Sequence, residues 1–305
     1  MTTNSTMAAR TAQLQIHLCV LLWGATAILG KLITLPAVPL VFWRMWLVTL
    51  VLACVPAVWR GLATMPSRLL LSYFGVGVLV AIHWLTFYAS IKLANASVAA
   101  SCIALATAFT AVVEPIITRR PFASHELALG ILVVPGVALI VGGVDTNMRL
   151  GVLVGAFSAF VVAIFGSVNK RLVNNAGALT VTALEMAAGA VTITCCWPLL
   201  AAAFPGQMGA FLALPSGQDA ILLVVLSLLC TLLPFSLSLV ALRQMSAFSA
   251  QLAVNLEPVY SIVLAIIFLG EQRELSVAFY AGVVLVLAAV FVHPTLARRG
   301  ALSRR

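Results

Sequence analysis

The residues best placed to do chemistry here are charged groups where charge is costly. Glu257 sits in LAVNLEPVYSIVLAIIFLGE (252–271), an otherwise apolar run, and Pro258 follows it. A charge near the centre of a bilayer costs about 2.5–3.5 kcal/mol on insertion scales, so such a residue needs a use. A carboxylate at that depth could bind a substrate ammonium group or carry a proton. It could equally be a structural acceptor for Asn255 or for a hydroxyl on a neighbouring helix. Pro258 removes a backbone donor and favours a kink, and irregular backbone is tolerated at membrane depth where it faces a cavity.

Other polar residues invite the same question. Arg44 could grip a substrate carboxylate, pair across helices, or snorkel to the interface. Glu185 lies at an offset of 141 from it and is the weaker binding candidate. On a third apolar segment, Trp84 and Tyr88 share a helical face at i,i+4, with His83 alongside. An aromatic shelf with one imidazole suits a small amphipathic metabolite, and histidine ordinarily titrates near neutral pH. The alternative is an interhelical hydrogen bond with aromatic packing. A second Glu-Pro pair, Glu114-Pro115, lies about 18 residues into its own span beside Arg119 and Arg120. A surface ion pair at the interface is expected there. Gly24, Gly30, Gly75 and Gly77 read as points of close helix packing.

These residues need an apolar frame. The 305-residue chain is 63% hydrophobic and 8% charged, with a mean hydropathy of +1.16. Soluble domains carry about 25% charged residues, so the composition excludes an ordinary water-soluble protein. Breaks at proline, glycine and charge divide it into ten apolar segments: 13–33, 38–58, 68–91, 96–118, 124–143, 149–171, 177–202, 219–242, 246–269 and 275–294. Each approaches the roughly 20 residues that a bilayer requires. The only long connection is 203–218. The N-terminus imitates a signal peptide, but its apolar run has no convincing cleavage site and reads as an uncleaved first span.

Orientation follows from the basic residues. With the N-terminus inside, twelve Lys and Arg outside the span interiors fall on the inner side and four (Lys31, Lys92, Arg149, Arg273) on the outer side. The positive-inside rule therefore places both termini in the cytoplasm. The net charge of +9 is explained by this topology, since no basic face could track a nucleic acid. All six cysteines fall within spans and have no metal-ligand spacing.

A faint repeat joins the third and fourth spans to the eighth and ninth at an offset of 151, pairing Lys92 with Arg243 and Ala99 with Ala250. At this offset Glu257 matches Ala106 and Pro258 matches Thr107, so the two Glu-Pro pairs are not equivalent. Five spans per copy is odd, so the second copy must insert upside down, the inverted-repeat pattern of many transporters.

LEPVYSIVLAIIFLGEQ (256–272) with Gly282, LLWGATAILGK (21–31), FWR (42–44) and HWLTFYASIKLANASVAA (83–100) together resemble the EamA-type transporters of the drug/metabolite transporter superfamily. The resemblance spans nearly the whole chain, but Leu-Gly-Glu occurs only once, with RRPFASHE standing at the corresponding place in the first half. It implies a ten-helix inverted-repeat transporter in a bacterial inner membrane, commonly an exporter of amino acids or other small metabolites.

The expected fold is thus an all-α membrane protein of ten transmembrane helices in two inverted five-helix repeats, 1–147 and 148–305. The expected function is secondary transport of a small metabolite by alternating access. Arg44 and Glu257, opposite in charge, favour a zwitterion such as an amino acid, moved outward. A sugar derivative, nucleobase or cationic drug is the alternative cargo, and a non-transporting scaffold the alternative class. Candidate cavity residues are Arg44, His83, Trp84, Tyr88, Thr107, Gln251, Asn255, Glu257 and Tyr260, with Glu257 and His83 as candidates for proton coupling. Partners are the bilayer, a small-molecule substrate and protons. No phosphate loop, metal motif or nucleophile elbow is present, so no nucleotide hydrolysis, cofactor, metal or enzymatic activity is expected.

Overall fold

The structure, a computed structural model, describes residues 2–205, 208, 214–270, 276–285 and 288. The helices are α1 (Thr2–Leu32), α2 (Ala37–Ala53), α3 (Pro56–Ala63), α4 (Ser67–Leu93), α5 (Ala96–Ile103), α6 (Leu105–Thr118) and α7 (Ser124–Gly142). A 3-10 turn (Thr146–Met148) leads into α8 (Arg149–Leu172) and α9 (Ala178–Ala203). Then come α10 (Gly217–Ser227), a π-helical segment (Leu228–Leu232), α11 (Leu233–Leu242), α12 (Ala247–Val254) and α13 (Glu257–Leu269), with a last helix, α14, over 277–285. No strand occurs among the described residues.

Seven helical stretches are long and apolar enough to cross a membrane, or eight with the bent pair of α2 and α3. Two of the ten expected spans are not among them. The segment at 124–143 forms α7, whose apolar stretch Ser124–Leu139 is shorter. Of the segment at 275–294 only 276–285 and 288 are described, and seven of the sixteen residues of the 203–218 connection lie outside the described residues.

Four of the expected spans are bent or broken along their length, for local reasons. The predicted 38–58 span ends at Ala53, and the chain turns by 88° into α3. Val55, which precedes Pro56, is extended, as steric clash with a following proline ring demands. The 96–118 and 246–269 spans are each two helices meeting at a break, and the 219–242 span is interrupted by the π segment. Gly24, Gly30 and Gly77 do admit close neighbours (Tyr260, Tyr88 and the Glu185 carbonyl), whereas Gly75 has open space and packs against nothing within 4 Å.

The broken helices keep register with one another. α5 and α12 begin at Ala96 and Ala247 and end at Ile103 and Val254, each pair 151 residues apart. Their side-chain N-caps keep the same spacing: Asn95 accepts from the Val98 N–H (2.8 Å) and Ser246 from the Ser249 N–H (3.0 Å). Such caps satisfy donors that a helix start leaves free. α6 and α13 end at Thr118 and Leu269, and both are closed by left-handed residues, Arg119 (φ 58°) and Gly270 (φ 68°). The two halves therefore share element boundaries as well as sequence.

Side-chain ties identify the two ends of the bundle. At one end, Lys170 donates to the Leu242 carbonyl (2.7 Å), Arg243 to Ala176 (2.9 Å) and Arg171 to Ile117 (3.2 Å). At the other, Lys92 donates to Ile33 (2.7 Å), while the Thr34 N–H and hydroxyl donate to the buried Asp219 (2.9 and 2.6 Å). Cations on C-terminal carbonyls are favourable because those groups carry the negative end of the helix dipole.

Candidate functional site

Between α1, α4, α8, α11 and α12 lies a cavity of about 140 Å³, room for several waters or part of a small solute. Arg44 and Glu257 stand at its deep end, and Ile16, Asn169, Leu242 and Ala247 line it toward the arginine-bearing end of the bundle. In the opposite direction the helices close. A Cβ on Gly24 would meet that of Tyr260 at 2.6 Å, and the Ser261 hydroxyl donates to the Gly24 carbonyl (2.9 Å).

Arg44 is 1% exposed, so its guanidinium must be matched from within the protein. Nε donates to the Thr231 hydroxyl (2.6 Å), Nη1 to the Tyr88 hydroxyl (2.7 Å) and Nη2 to the Cys230 carbonyl (3.3 Å). The π segment and Pro234 supply this socket. In a regular helix the N–H of residue 234 would take the carbonyl of residue 230, but proline has none. The Cys230 carbonyl is thereby left for the guanidinium, and the Thr231 hydroxyl turns back to Leu226 (2.6 Å). The guanidinium carbon lies 3.8 Å from the centre of the Trp84 ring, a cation–π contact. Three of the five N–H groups are used, which leaves two for a ligand.

Glu257 opens α13 immediately after the break at Asn255–Leu256, with Pro258 in the first turn, where its missing N–H costs nothing. The break lets the carboxylate enter the cavity from a helix start, the end where negative charge is favoured. Glu257 shares the cavity with Arg44 without an ion pair; those among the described residues both belong to Arg120. The Gln251 and Thr26 side chains also line the cavity, and Gln251 Nε2, Thr26 Oγ1 and the nearby Asn255 Nδ2 are buried without a hydrogen-bond partner. Buried donors of this kind call for a solute or water.

The nine residues singled out in the sequence divide accordingly. Arg44, His83, Trp84, Gln251 and Glu257 line the cavity; Tyr88, Thr107, Asn255 and Tyr260 do not. Tyr88 stands behind Arg44 as its acceptor. Thr107 donates to Asn255 Oδ1 (2.9 Å), joining the two helix breaks, and Tyr260 packs on Gly24. His83 Nδ1 is within 2.8 Å of the Ser158 hydroxyl, which in turn donates to the His83 carbonyl (2.9 Å). Its ring therefore has a fixed structural partner as well as a cavity face. Thr26 and Asn169 were not among the nine. The signal for each was only a single polar residue in an apolar helix. Among the described residues no group of three His, Cys, Asp or Glu converges as a metal ion would need.

Glu114 differs from expectation. It is 1% exposed and does more than pair at the surface. Its carboxylate accepts from the backbone N–H groups of Ala247 (2.8 Å) and Phe248 (2.7 Å), capping α12, and pairs with Arg120 (3.1 Å). Arg120 also binds Glu126. Lost hydration works against the Arg120 charge, but its bonds to Glu126 and Glu114 outweigh that and hold its pKa above the usual value.

The chain matches the model of the EamA-like transporter family twice, over residues 10–142 and 149–293. No curated protein matches it significantly. Among solved structures, one described only as the crystal structure of a protein is similar in fold. It is 17% identical, with a TM-score of 0.67, and the match covers 97% of this chain and 98% of the other. With apolar helices long enough to cross a membrane and the family's two copies spanning nearly its whole length, the chain belongs to the EamA-like transporter family.

Proposed function

We propose that this multi-pass membrane transporter moves a small zwitterion, an amino acid or close relative, outward across a bacterial inner membrane by alternating access. The observation that carries this reading is the cavity that holds Arg44 and Glu257 unpaired with each other. A carboxylate of the cargo would meet the free N–H groups of Arg44 over Trp84, and its ammonium would meet Glu257. Gln251 and Thr26 would satisfy the polar remainder.

Alternating access is supported by the shared 151-residue spacing and by a cavity extending toward one end only. Inversion of one copy against the other follows from five predicted spans per copy and suits exchange of open and closed ends. The arginine-bearing end is the cytoplasmic one under the positive-inside rule, and both termini lie on that side. Proton coupling, with Glu257 and His83 as first candidates, would supply the driving force.

A second reading, a cationic drug or nucleobase, is favoured by the aromatic rings of Trp23, Trp84, Phe87, Phe165 and Phe235 around the same cavity. Counterflow in proteoliposomes with labelled amino acids, nucleobases and quaternary amines separates the two. Exchange of amino acids that is lost in Glu257→Gln supports the zwitterion. Exchange of none of them, or undiminished exchange by that variant, removes it.

A further inference from the structure

Glu185 is a carboxyl that the cavity does not use. It is 0% exposed in the first third of α9, and the described structure gives it a single hydrogen bond, from Asn169 Nδ2 to Oε2 at 3.3 Å. Glu185 Oε1 and Asn169 Oδ1 are both buried and both without a partner. An ionised carboxylate sealed from water with one long hydrogen bond is not sustainable, because burial of a charge requires pairing. One proton on Glu185 removes the charge and supplies a donor for the orphaned amide oxygen, as in an acid–amide pair.

The neighbouring charged and titratable groups offer no substitute. Tyr73 of α4 spends its hydroxyl on the Leu172 carbonyl (2.8 Å), and Lys170 of α8 spends its ammonium on Leu242. Arg243, beyond α11, is bonded to Ala176, and Arg44 of α2 to its own socket. None of them hydrogen-bonds or ion-pairs with Glu185. The site nevertheless has a route to water, since Asn169 lines the cavity near its arginine-bearing end.

The position of Glu185 in the repeat gives that route a purpose. α9 begins at Ala178 and α2 at Ala37, so Glu185 stands in the second copy where Arg44 stands in the first. If inverted copies exchange conformations, the position that is sealed here becomes the one that faces the cavity. We infer that Glu185 and Asn169 form a further proton site of the transport cycle, distinct from Glu257 and His83: the carboxyl holds a proton while sealed against Asn169 and releases it when the copies exchange and the cavity reaches it. The proton is the only species transferred, from the Glu185 carboxyl to water of the cavity.

This rests on the transporter reading, so the test has one arm independent of cargo. Infrared difference spectra of reconstituted wild type against Glu185→Gln, at neutral pH, should contain a protonated carboxyl band, and Asn169→Leu should shift it. Gln fills the same space and can donate to Asn169, so this variant should fold. Absence of the band in wild type overturns the proposal, whatever the cargo. In the second arm, labelled amino acids are followed in proteoliposomes under a gradient of about one pH unit, which one-to-one coupling converts to about tenfold accumulation. Glu185→Gln should keep counterflow and lose that accumulation. Accumulation by the variant equal to wild type, or counterflow in wild type with no response to the gradient, overturns the proposal and leaves the transporter reading intact. A carboxyl band without exchange of any amino acid supports the proton site and removes the zwitterion instead.

Discussion

Glu114 and Glu257 are each followed by proline, and each lies in an apolar helix, yet they live in opposite circumstances. Glu114 is enclosed by two backbone N–H groups and Arg120, and it fastens a helix of the second half to one of the first. Glu257 has no such enclosure and faces a cavity that also holds an arginine. The same dipeptide is a bolt in one place and carries a cavity-facing carboxylate in the other. What separates them is whether backbone donors converge on the carboxylate, which depends on where neighbouring helices start.

The comparison breaks first at Glu114. Glu114→Ala leaves two helix-start donors without their acceptor and Arg120 with Glu126 alone, and each buried donor left unsatisfied costs about 1–3 kcal/mol. Thermal unfolding in detergent should show this loss, and a variant as stable as wild type would remove the bolt. Glu257→Gln should do the reverse, leaving unfolding unchanged while transport falls. A hydrogen bond to a charged group contributes about 1.5–3 kcal/mol, which is about ten- to hundredfold in affinity for an amine cargo. Counterflow at wild-type rates would make both glutamates structural.

A third variant probes what supports the cavity's positive side. Gly30→Ala would place a Cβ 2.7 Å from Tyr88 Cδ1, and overpacking of this kind costs about 1–3 kcal/mol. The tyrosine must shift, which disturbs its hydrogen bond from Arg44, so the half-saturating concentration of a carboxylate cargo should rise more than that of a simple amine. Equal effects on both would detach Tyr88 from recognition. The smallest effect concerns the helix ends. Arg119 occupies the left-handed conformation that Gly270 adopts in the other half, at a cost of about 1 kcal/mol for a residue with a Cβ. Arg119→Gly should therefore raise the unfolding midpoint slightly, whereas Gly270→Ala should lower it.

Much of the frame was legible because a bilayer imposes a length and a hydropathy on every crossing helix, and the 151-residue spacing emerged from a few weak matches. The helix breaks at Ala104 and Asn255–Leu256 were not, since neither Ala104 nor its neighbours carry a breaker; Pro258 alone hinted at the second. Of the cavity lining, Arg44, Trp84 and Glu257 were legible because charge and aromaticity stand out against alanine and leucine. Thr107 and Asn255 were misplaced as cavity residues because depth along a helix says nothing about azimuth, and these two face each other across the breaks. Glu114 was read as a surface group because its true partners are backbone N–H groups, which have no signature in sequence.

The socket of Arg44 has a mechanical side. The arginine is carried by α2 in the first half, while Thr231 and Cys230 belong to the second. A rotation of one half against the other must stretch or release those bonds, so the positive centre of the cavity is also a spring between the halves. On the proposed cycle, a cargo carboxylate that drew the guanidinium away from the Cys230 carbonyl would loosen that spring, and an empty cavity would leave it set. Occupancy and freedom to turn would then be governed by one side chain.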